Sequence, residues 1–491
     1  MKQLAQLISD IDVIKVHGSA CRPISGVTFD SRSVEKDFIY VARRGVSTDG
    51  HTYIPAAIEA GAAAVVCETM PAEISPKVTY VEVRDSAVAL GHIASAWFGY
   101  PSRKLKLVGV TGTNGKTTTA TLIYEMARLQ GMKAGLISTV VNLIDTDRVE
   151  ATQTTPDAIA INSLLHDMVE AGCSVAAMEV SSHAAEQHRI AGLHFNGGIF
   201  TNLTRDHLDY HKTFDAYLKA KQSFFDMLPA QSWALTNEDD RNGLIMVQNT
   251  RATRHTYSIR THADFMCKIV ESRLDGMLLD INGREVETMF TGRFNAQNLI
   301  AVYGACVLMG MDPGRVLVDM SRLVPVAGRF QSFHSPKGYT AIVDYAHTPD
   351  AVVNVLTAIR EVVGHTGRII TVVGAGGNRD KGKRPIMASE AARLSDHVLL
   401  TSDNPRFEKP EDILADMEAG LDTAARLRTD SITDRRRAIT AATEMAAKGD
   451  VILIAGKGHE DYQEIEGVKH HFDDSEIVRG IFASQLDEIR N

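Results

Sequence analysis

The chain has 491 residues, a length that predicts about three domains of roughly 150 residues each. Its hydrophobic content of 44% and charged content of 23% are ordinary for a soluble globular protein. The net charge of −9 argues against nucleic acid as a partner, so an anionic ligand would need a local positive patch.

The cysteines and the first residues of the chain predict the cellular compartment of the protein. Five cysteines are scattered without a C-x-x-C pair, which predicts neither a zinc site nor a disulfide framework. Scattered thiols fit a reducing compartment, and we expect a cytoplasmic protein. The start, MKQLAQLISDIDVIKVHG, places Asp10 and Asp12 where a signal peptide needs an apolar core. No run of about 18 apolar residues is present, so no membrane span is predicted.

Two breaks divide the chain. FGYPSRKLK (98–106) contains Pro101 and a basic cluster, and VPVAGRFQS (324–332) contains Pro325 and Gly328. They predict domains at 1–100, 101–327 and 328–491, each within the usual size range.

Short apolar runs alternate with longer helical patterns in the second and third segments, which predicts parallel α/β sheets. The runs are 105–110, 174–180, 197–201, 341–344, 368–374, 397–403 and 450–456. Ligands of open α/β sheets bind beyond the carboxyl ends of the strands. The residues after these runs are therefore the first candidates for a site, although strand ends also need ordinary turn residues.

A glycine-rich turn follows the first run. In VGVTGTNGKTTT (Val108–Thr119) a strand leads into the turn, and a helix follows that we expect to stop at Gly131. Such a turn presents backbone N–H groups to phosphates, while Lys116 would reach the terminal phosphates and Thr117 could bind Mg²⁺. The match to G-x-x-x-x-G-K-[ST] is imperfect, because Val110 stands at the first glycine position. The alternative is a plain strand-to-helix turn with a solvated lysine.

Metal-ligand candidates follow the next two runs. MEVSSH places Glu179 at a strand end, and TRDHLDYH places Asp206, His207, Asp209 and His211 after the following strand. Oxygen and imidazole ligands from neighbouring strand ends suit a Mg²⁺ ion that bridges ATP phosphates. A single histidine here could equally be a hydrogen-bonded surface residue.

The third segment carries two further clusters. In VVGAGGNRDKGKRP (372–385), Arg379 occupies the third glycine position of a dinucleotide motif, which disfavours that interpretation. Its basic residues suggest a clamp for anionic groups instead: Arg379, Lys381, Lys383 and Arg384. LLTSDNPRFE (399–408) ends a strand with an acid, an amide, a proline and a guanidinium. In isolation this could be an ordinary type I turn.

The motifs occur in a recognisable order: GTNGKTTT, MEVSSHAAEQHR, TNLTRDHLDYH, GRFNAQN, DYAHTPD, GAGGNRDKGKRP, SDNPR and AGKGHE. This series resembles the Mur ligase family, ATP-dependent amide-forming enzymes of peptidoglycan precursor synthesis. The resemblance covers nearly the whole chain, and the glycine spacing agrees with that family's own phosphate loop. It implies a small N-terminal α/β domain for the UDP part, a central P-loop ATPase domain with a parallel sheet, and a C-terminal Rossmann-like domain for the amino acid.

The resemblance also implies roles for single residues. Lys116, Glu179, His207 and Lys221 would be catalytic, with Thr117, Glu179, His207 and a carbamylated Lys221 around Mg²⁺. ATP would be bound by Gly112, Thr113, Asn114, Gly115, Lys116, Thr117, Thr118, Asn295, Asn298, Arg329 and Asp344. The UDP-N-acetylmuramoyl-L-Ala-D-Glu substrate would be bound by Phe29, Ser31, Val46, Ser47, Thr48, Gln153, Thr154, Thr155, Ser181, Gln187 and Arg189. Gln153 stands where some relatives carry asparagine, and Lys221 could instead be a solvated helix lysine.

Within the family, SDNPR marks the branch that adds meso-diaminopimelate. The implied contacts of that amino acid are Arg379, Asp403, Asn404, Pro405, Arg406, Gly456 and Glu460. The nearer alternatives are ligases that add L-lysine or D-Ala-D-Ala, and folylpolyglutamate synthetase is more distant. An alternative of another class is a non-catalytic nucleotide-binding regulator. A monomer is expected.

Overall fold

The computed structural model describes residues 1–45, 48–151, 153–204, 208–364 and 366–490, without the side chains of residues 208 and 209. Three separate large sheets fall within the three predicted segments. The domain boundaries themselves stay a prediction. None of the helices among these residues is long and apolar enough to cross a membrane.

The N-terminal segment folds as a five-stranded sheet in the order β2-β7-β6-β5-β4, in which only β2 runs antiparallel to its neighbour. Its elements are β1 (Lys2–Gln3), α1 (Leu4–Leu7), β2 (Val13–His17), β3 (Pro23–Ile24), β4 (Gly26–Thr28), β5 (Phe38–Val41), α2 (Ile54–Glu59), β6 (Ala64–Cys67), β7 (Thr79–Val83) and α3 (Ser86–Trp97).

The central segment contains an eleven-stranded sheet in the order β11-β10-β9-β12-β8-β13-β14-β15-β16-β17-β18. The strands from β9 to β16 in this order are parallel, as the sequence predicts. The elements are β8 (Lys106–Thr111), α4 (Lys116–Leu129), β9 (Ala134–Ile137), β10 (Asn142–Ile144), β11 (Asp147–Val149), α5 (Ala158–Glu170), β12 (Val175–Glu179), α6 (Ser182–Glu186), β13 (Gly197–Phe200), α7 (Leu208–His211), α8 (Phe214–Asp226), β14 (Trp233–Asn237), α9 (Gly243–Met246), β15 (Thr253–Ser258), β16 (Phe265–Arg273), β17 (Gly276–Ile281), β18 (Arg284–Thr288), α10 (Arg293–Leu308) and α11 (Pro313–Met320).

Both edges of the central sheet differ from the prediction of a parallel sheet, because they end in antiparallel hairpins. The turn between β17 and β18 is Asn282-Gly283, with φ of 49° and 82°. An Asn-Gly pair adopts these positive angles readily and favours a tight hairpin. The central sheet is therefore mixed, with its parallel strands in the middle.

The C-terminal segment forms a six-stranded sheet in the order β19-β20-β24-β21-β22-β23, parallel except for β19. The elements are β19 (Gln331–His334), β20 (Thr340–Asp344), α12 (Pro349–Val363), β21 (Ile369–Ala375), α13 (Lys383–Leu394), β22 (His397–Ser402), α14 (Pro410–Glu418), α15 (Thr423–Arg426), β23 (Thr429–Ser431), α16 (Arg435–Met445), β24 (Val451–Ala455), β25 (Tyr462–Ile465), β26 (Val468–His471) and α17 (Asp474–Arg490). Buried apolar clusters cover both faces of this sheet. Helices on both faces of a parallel sheet leave the strand ends as the place for a ligand.

Candidate active site

One cleft of ≈ 730 Å³ lies between the central and C-terminal sheets. Residues that follow β8 and β12 line one side, and residues that follow β20, β21, β22 and β24 line the other. The carboxyl ends of two parallel sheets therefore face the same space, which is where such sheets bind ligands.

The phosphate loop, residues 112–118, forms one wall of this cleft. Gly115 adopts a φ of 86° immediately before α4, so the first N–H groups of the helix point toward the cleft. Nζ of Lys116 donates to the carbonyls of Gly112 at 2.9 Å and Thr113 at 2.8 Å. The loop thus combines a helix N-terminus with an ammonium group that lies across it.

The glycine spacing has steric causes. A Cβ on Gly109 would lie 2.5 Å from the ring of Phe224, a Cβ on Gly112 would lie 1.9 Å from Oγ1 of Thr201, and a Cβ on Gly115 would lie 2.4 Å from Oδ1 of Asn298. The sequence could not predict these contacts, because each neighbour is distant along the chain. They explain why glycine is required at these three positions.

Glu179 and Thr117 meet beside the loop. The Thr117 hydroxyl donates to Oε1 of Glu179 at 2.9 Å, and the backbone N–H of Thr139 donates to the same oxygen at 2.8 Å. Oε2 of Glu179 is buried and has no hydrogen-bond partner among the described residues. A buried carboxylate oxygen beside a threonine hydroxyl fits a Mg²⁺ ion. His207, another predicted ligand, lies outside the described residues, and no described cluster holds three or more His, Cys, Asp or Glu side chains suited to a metal ion.

Lys221 on α8 is buried rather than solvated, with 1% of its surface exposed. Its Nζ donates to the carbonyl of Gly112 at 2.8 Å and lies 4.8 Å from the ring centroid of Tyr217. The structure thus places Lys221 against the phosphate loop, and its catalytic role stays a prediction.

Four predicted ATP-binding residues lie behind and across from the loop. Asn298 and Asn295 are buried on α10, where Nδ2 of Asn298 donates to Oδ1 of Asn295 at 3.4 Å. Arg329 reaches from the C-terminal segment, and its Nη2 donates to Oγ1 of Thr117 at 3.2 Å.

Asp344 accepts hydrogen bonds from the N–H groups of residues 330 and 346, both at 2.7 Å. Burial raises the pKa of Asp344, although the charge of Arg329 and these two donors oppose the shift.

Arg189 organises the predicted muramoyl-dipeptide contacts. Its Nη1 donates to Oε1 of Gln153 and to the carbonyl of Thr155, while Nε and Nη2 donate to Oε1 of Gln187. Gln153, Thr154, Thr155, Ser181 and Arg189 line the cleft, whereas Gln187 is not in its lining.

The predicted uridine contacts lie in the N-terminal segment, outside the lining of the cleft. Val46 and Ser47 lie outside the described residues, while Phe29, Ser31 and Thr48 are described. The guanidinium of Arg43, which the sequence did not single out, lies 4.8 Å from the ring centroid of Phe29. Burial lowers the pKa of Arg189, and the nearby positive charge of Arg43 adds to this shift.

The loop after β22, residues 403–406, faces the phosphate loop across the cleft. Asp403, Asn404, Arg406, Arg379, Gly456 and Glu460 all line the cleft, while Pro405 does not. Arg406 has a φ of 52°, and its side chain donates to the carbonyl of Gly377 at 2.9 Å and pairs with Glu464 at 3.2 Å. Nδ2 of Asn404 donates to Oε2 of Glu460 at 2.7 Å. The predicted amino-acid contacts thus converge, except for Pro405.

The prediction that Arg384 belongs to a clamp for anionic groups is wrong. This side chain is fully buried and forms ion pairs with Glu408 at 2.9 Å and Asp416 at 2.8 Å. Lys381 also pairs with Glu408, at 3.1 Å. Their positive charges are compensated within the protein, so Arg379 and Lys383 remain as the basic residues of this segment that line the cleft.

Several residues that line the cleft or its edge escaped the sequence analysis: Thr139, Ser182, Tyr345, Thr348 and Lys457. Lys457 stands inside the quoted motif AGKGHE, next to two predicted contacts. A lysine in a glycine turn is typical of a solvated residue, so its burial needed the structure.

Comparisons with known proteins agree along the whole chain. Three family profiles match: "Mur ligase family, catalytic domain" at 23–98, "Mur ligase middle domain" at 110–306, and "Mur ligase, glutamate ligase domain" at 328–458. The chain is 60% identical to a UDP-N-acetylmuramoyl-L-alanyl-D-glutamate–2,6-diaminopimelate ligase of Parabacteroides distasonis, over 98% of this chain and 99% of that one. It is 58% identical to the Bacteroides fragilis protein of the same name, with the same coverage.

A solved structure of a protein with that name covers 99% of both chains at 34% identity, with a TM-score of 0.71. The identities and coverage, together with the converging loops of the cleft, decide the family. The chain belongs to the Mur ligase family.

Proposed function

We propose that this protein joins meso-2,6-diaminopimelate to the γ-carboxylate of the D-glutamyl residue in UDP-N-acetylmuramoyl-L-Ala-D-Glu, with cleavage of ATP to ADP and phosphate. The observation that carries the proposal is that one cleft is lined by the phosphate loop, by the Arg189 cluster and by the Asp403–Arg406 loop. These three groups suit a nucleotide, an acidic peptide and a zwitterionic amino acid, the three reactants of an amide synthesis.

The first step activates a carboxylate. The γ-carboxylate attacks the γ-phosphorus of ATP, its bond to ADP breaks, and an acyl phosphate forms. The Lys116 ammonium and the N–H groups at the start of α4 would stabilise the negative charge on the transferring group. Thr117, Glu179 and His207, with Lys221 as a carbamate, would hold Mg²⁺, which neutralises phosphate charge.

The second step forms the amide. The neutral amine of diaminopimelate attacks the acyl carbon, and inorganic phosphate leaves. Arg406 would bind the distal carboxylate through its planar guanidinium, and Arg379 would add a second cation. Asp403 and Glu460 would accept hydrogen bonds from an ammonium group. L-Lysine has no distal carboxylate and would leave Arg406 without that partner.

Phosphate release tests the proposal. The protein would be incubated with ATP, Mg²⁺ and UDP-N-acetylmuramoyl-L-Ala-D-Glu, with meso-diaminopimelate, L-lysine or D-Ala-D-Ala in parallel. We expect release only with meso-diaminopimelate and a product heavier by that residue. Sites built around a polar group reject analogues that lack it by about 10⁴-fold or more. Equal release with L-lysine would overturn the specificity, and nucleotide binding without release in any reaction would overturn the ligase activity.

The cellular location and the oligomeric state of the protein are two further proposals. We propose a cytoplasmic monomer, consistent with the scattered free thiols and with the absence of a membrane-spanning helix among the described residues. Gel filtration at micromolar concentration would test the monomer directly, since a dimer would elute at twice the 53.6 kDa mass of the chain.

A further inference from the structure

Lys457 is a fully buried lysine at the amino-acid end of the cleft. Its Nζ donates to Oδ1 of Asn404 at 3.1 Å and to Oε2 of Glu460 at 3.2 Å, and it lies 3.5 Å from Oδ1 of Asp403. An ammonium group has three N–H donors, and here three oxygens from three side chains surround it. Burying such a charge is costly unless it is paired in this way.

We propose that Lys457 is the positioning residue of the amino-acid site, whose ammonium holds Asp403, Asn404 and Glu460 in place to receive the ammonium of the incoming amino acid. The inference rests on the proposed function, because it concerns the substrate that these side chains would bind. It assigns Lys457 no contact with the reacting atoms.

The hydrogen bonds of Asn404 show how one lysine orients the site. Its Oδ1 accepts from Lys457 and from the N–H of Glu464 at 2.9 Å, which directs Nδ2 toward Oε2 of Glu460. Oε2 of Glu460 therefore accepts from both Lys457 and Asn404. Rotation of any of these three groups would break at least two hydrogen bonds, so the loops after β22 and β24 are fixed relative to each other.

The neighbouring cations do not replace Lys457. Arg435 is buried against Asp474 at 2.7 Å, and Arg406 pairs with Glu464 at 3.2 Å. The groups that face the two carboxylates from the surrounding elements are Lys457, Arg435, Arg406, His347, Tyr345 and Tyr462. Of these, Lys457 is the cation with an ion pair to both carboxylates.

The charges explain why such a lysine is needed. Burial alone would raise the pKa of Asp403, but the charges of Lys457, Arg435, His347 and Arg406 outweigh it and lower that pKa. Burial and the charge of Asp403 raise the pKa of Glu460, and Lys457 opposes that shift. Without Lys457, two close carboxylates would share a proton at higher pH. One fewer acceptor would then meet the ammonium of the substrate.

Kinetics of Lys457→Met test the proposal. We expect the KM for meso-diaminopimelate to rise roughly 10- to 100-fold, as for the loss of one or two hydrogen bonds to a charged group. The KM for ATP should change less than about threefold. The acid limb of kcat/KM for diaminopimelate should move upward by about 1 to 3 pH units, the usual effect of losing an adjacent opposite charge.

Lys469→Met is the matched control. Lys469 is exposed, and its Nζ lies 4.2 Å from the ring centroid of Tyr462, the same ring that lies 5.6 Å from Nζ of Lys457. The Lys469→Met variant should retain the wild-type KM for diaminopimelate and the wild-type pH profile. If Lys457→Met raises every KM equally and leaves the acid limb in place, Lys457 is merely structural and the proposal is overturned.

Lys457→Arg covers the case in which the methionine variant does not fold. It retains the charge, so the acid limb should stay, while the KM for diaminopimelate rises roughly 10-fold because a planar fork cannot satisfy three oxygens arranged around a point donor. An unchanged KM would overturn the proposal. Failure of the proposed function is distinguishable, because the wild type would then show no diaminopimelate-dependent phosphate release.

Discussion

The hydroxyl of Thr117 donates to Oε1 of Glu179 at 2.9 Å, which joins the first turn of α4 to the end of β12. The same oxygen accepts the N–H of Thr139, so Oε1 is satisfied within the protein. Oε2 is buried and has no hydrogen-bond donor among the described residues. One carboxylate oxygen of Glu179 is thus held by hydrogen bonds from the protein and the other is not, an arrangement that suits a metal ligand.

Thr117→Val and Thr117→Ser form a matched pair for this arrangement. Valine keeps the shape of threonine but removes the hydroxyl, whereas serine keeps the hydroxyl. We expect the valine variant to need roughly 10- to 100-fold more Mg²⁺ for half-maximal phosphate release, the usual effect of altering the support of a metal ligand. The serine variant should stay close to the wild type. Equal Mg²⁺ requirements in both variants would contradict the role of the hydroxyl.

Arg384→Met should destabilise the protein. Arg384 is fully buried and holds Glu408 and Asp416, so its removal leaves Glu408 beside the amino-acid loop without its main counter-ion. Breaking a fully buried pair costs about 3–5 kcal/mol. We expect a smaller loss here, because Asp416 is 43% exposed and Glu408 keeps its ion pair with Lys381.

Arg393→Met is the control, since Arg393 is exposed and pairs with Glu390 one turn away on the same helix. That pair should contribute less than about 1 kcal/mol to the free energy of unfolding, measured by urea denaturation.

Glu408 gives this ion pair a defined pH dependence. Hydrogen bonds from Arg384 and from the N–H of Asn378 lower the pKa of Glu408 to about 2. An unfolded glutamate titrates near a pKa of about 4.3, so the stabilisation is present above that value and is lost as the pH falls from about 5 to about 2. We expect urea midpoints of the wild type to fall more steeply over this window than those of Glu408→Gln. A constant difference between the two proteins from pH 7 to 3 would contradict the shift.

The strands and the phosphate loop could be predicted because their signals are local. The run 105–110 differs by one residue from β8, and the run 397–403 by one residue from β22. Glycines and a lysine in fixed order after such a run indicate a phosphate loop without any knowledge of distant neighbours. The Asn282-Gly283 turn is an equally local signal, because an Asn-Gly pair favours a tight hairpin.

The parts of the site that the sequence does not predict depend on contacts between residues that are distant along the chain. Lys457 and Arg384 look solvated in the sequence, yet both are buried, because Asp403 and Glu408, which are distant along the chain, help to compensate their charges. Arg43 lies far along the chain from Arg189, and only the fold brings their charges within range. Such pairings arise from packing and have no local pattern. The individual roles of the site residues therefore stay predictions until variants are measured.

In the proposed function, Arg406 is the residue that distinguishes diaminopimelate from L-lysine. Arg406→Ala should weaken the use of diaminopimelate roughly 10- to 1000-fold, as for one or two charge-assisted hydrogen bonds. Arg406→Lys keeps the charge but loses the fork, so it should recover part of the activity. The KM for ATP should barely change in either variant. Equal losses for ATP and diaminopimelate would mean that Arg406 only supports the loop through Gly377 and Glu464.

Gly328 joins the central and C-terminal segments at a point where no side chain fits. Its φ is 66°, and a Cβ would lie 2.1 Å from the backbone nitrogen of His459. Gly364 is the matched control, because it has a φ of 59° but nothing within 4 Å of its Cβ position. Gly364→Ala should therefore show only backbone strain, about 1–3 kcal/mol in urea denaturation, because its φ of 59° and ψ of −128° lie in a region that glycine alone adopts readily.

Gly328→Ala should cost more, because the loop that carries Lys457 and Glu460 must move away from the new methyl group. We expect kcat/KM for diaminopimelate to fall at least about 10-fold in this variant and less than about twofold in Gly364→Ala, since a displacement of about 1 Å at a site is enough for such losses. Steady-state phosphate release measures both. If the two variants lose stability and activity equally, the contact between Gly328 and residue 459 does not position the site, and backbone strain alone explains the requirement for glycine.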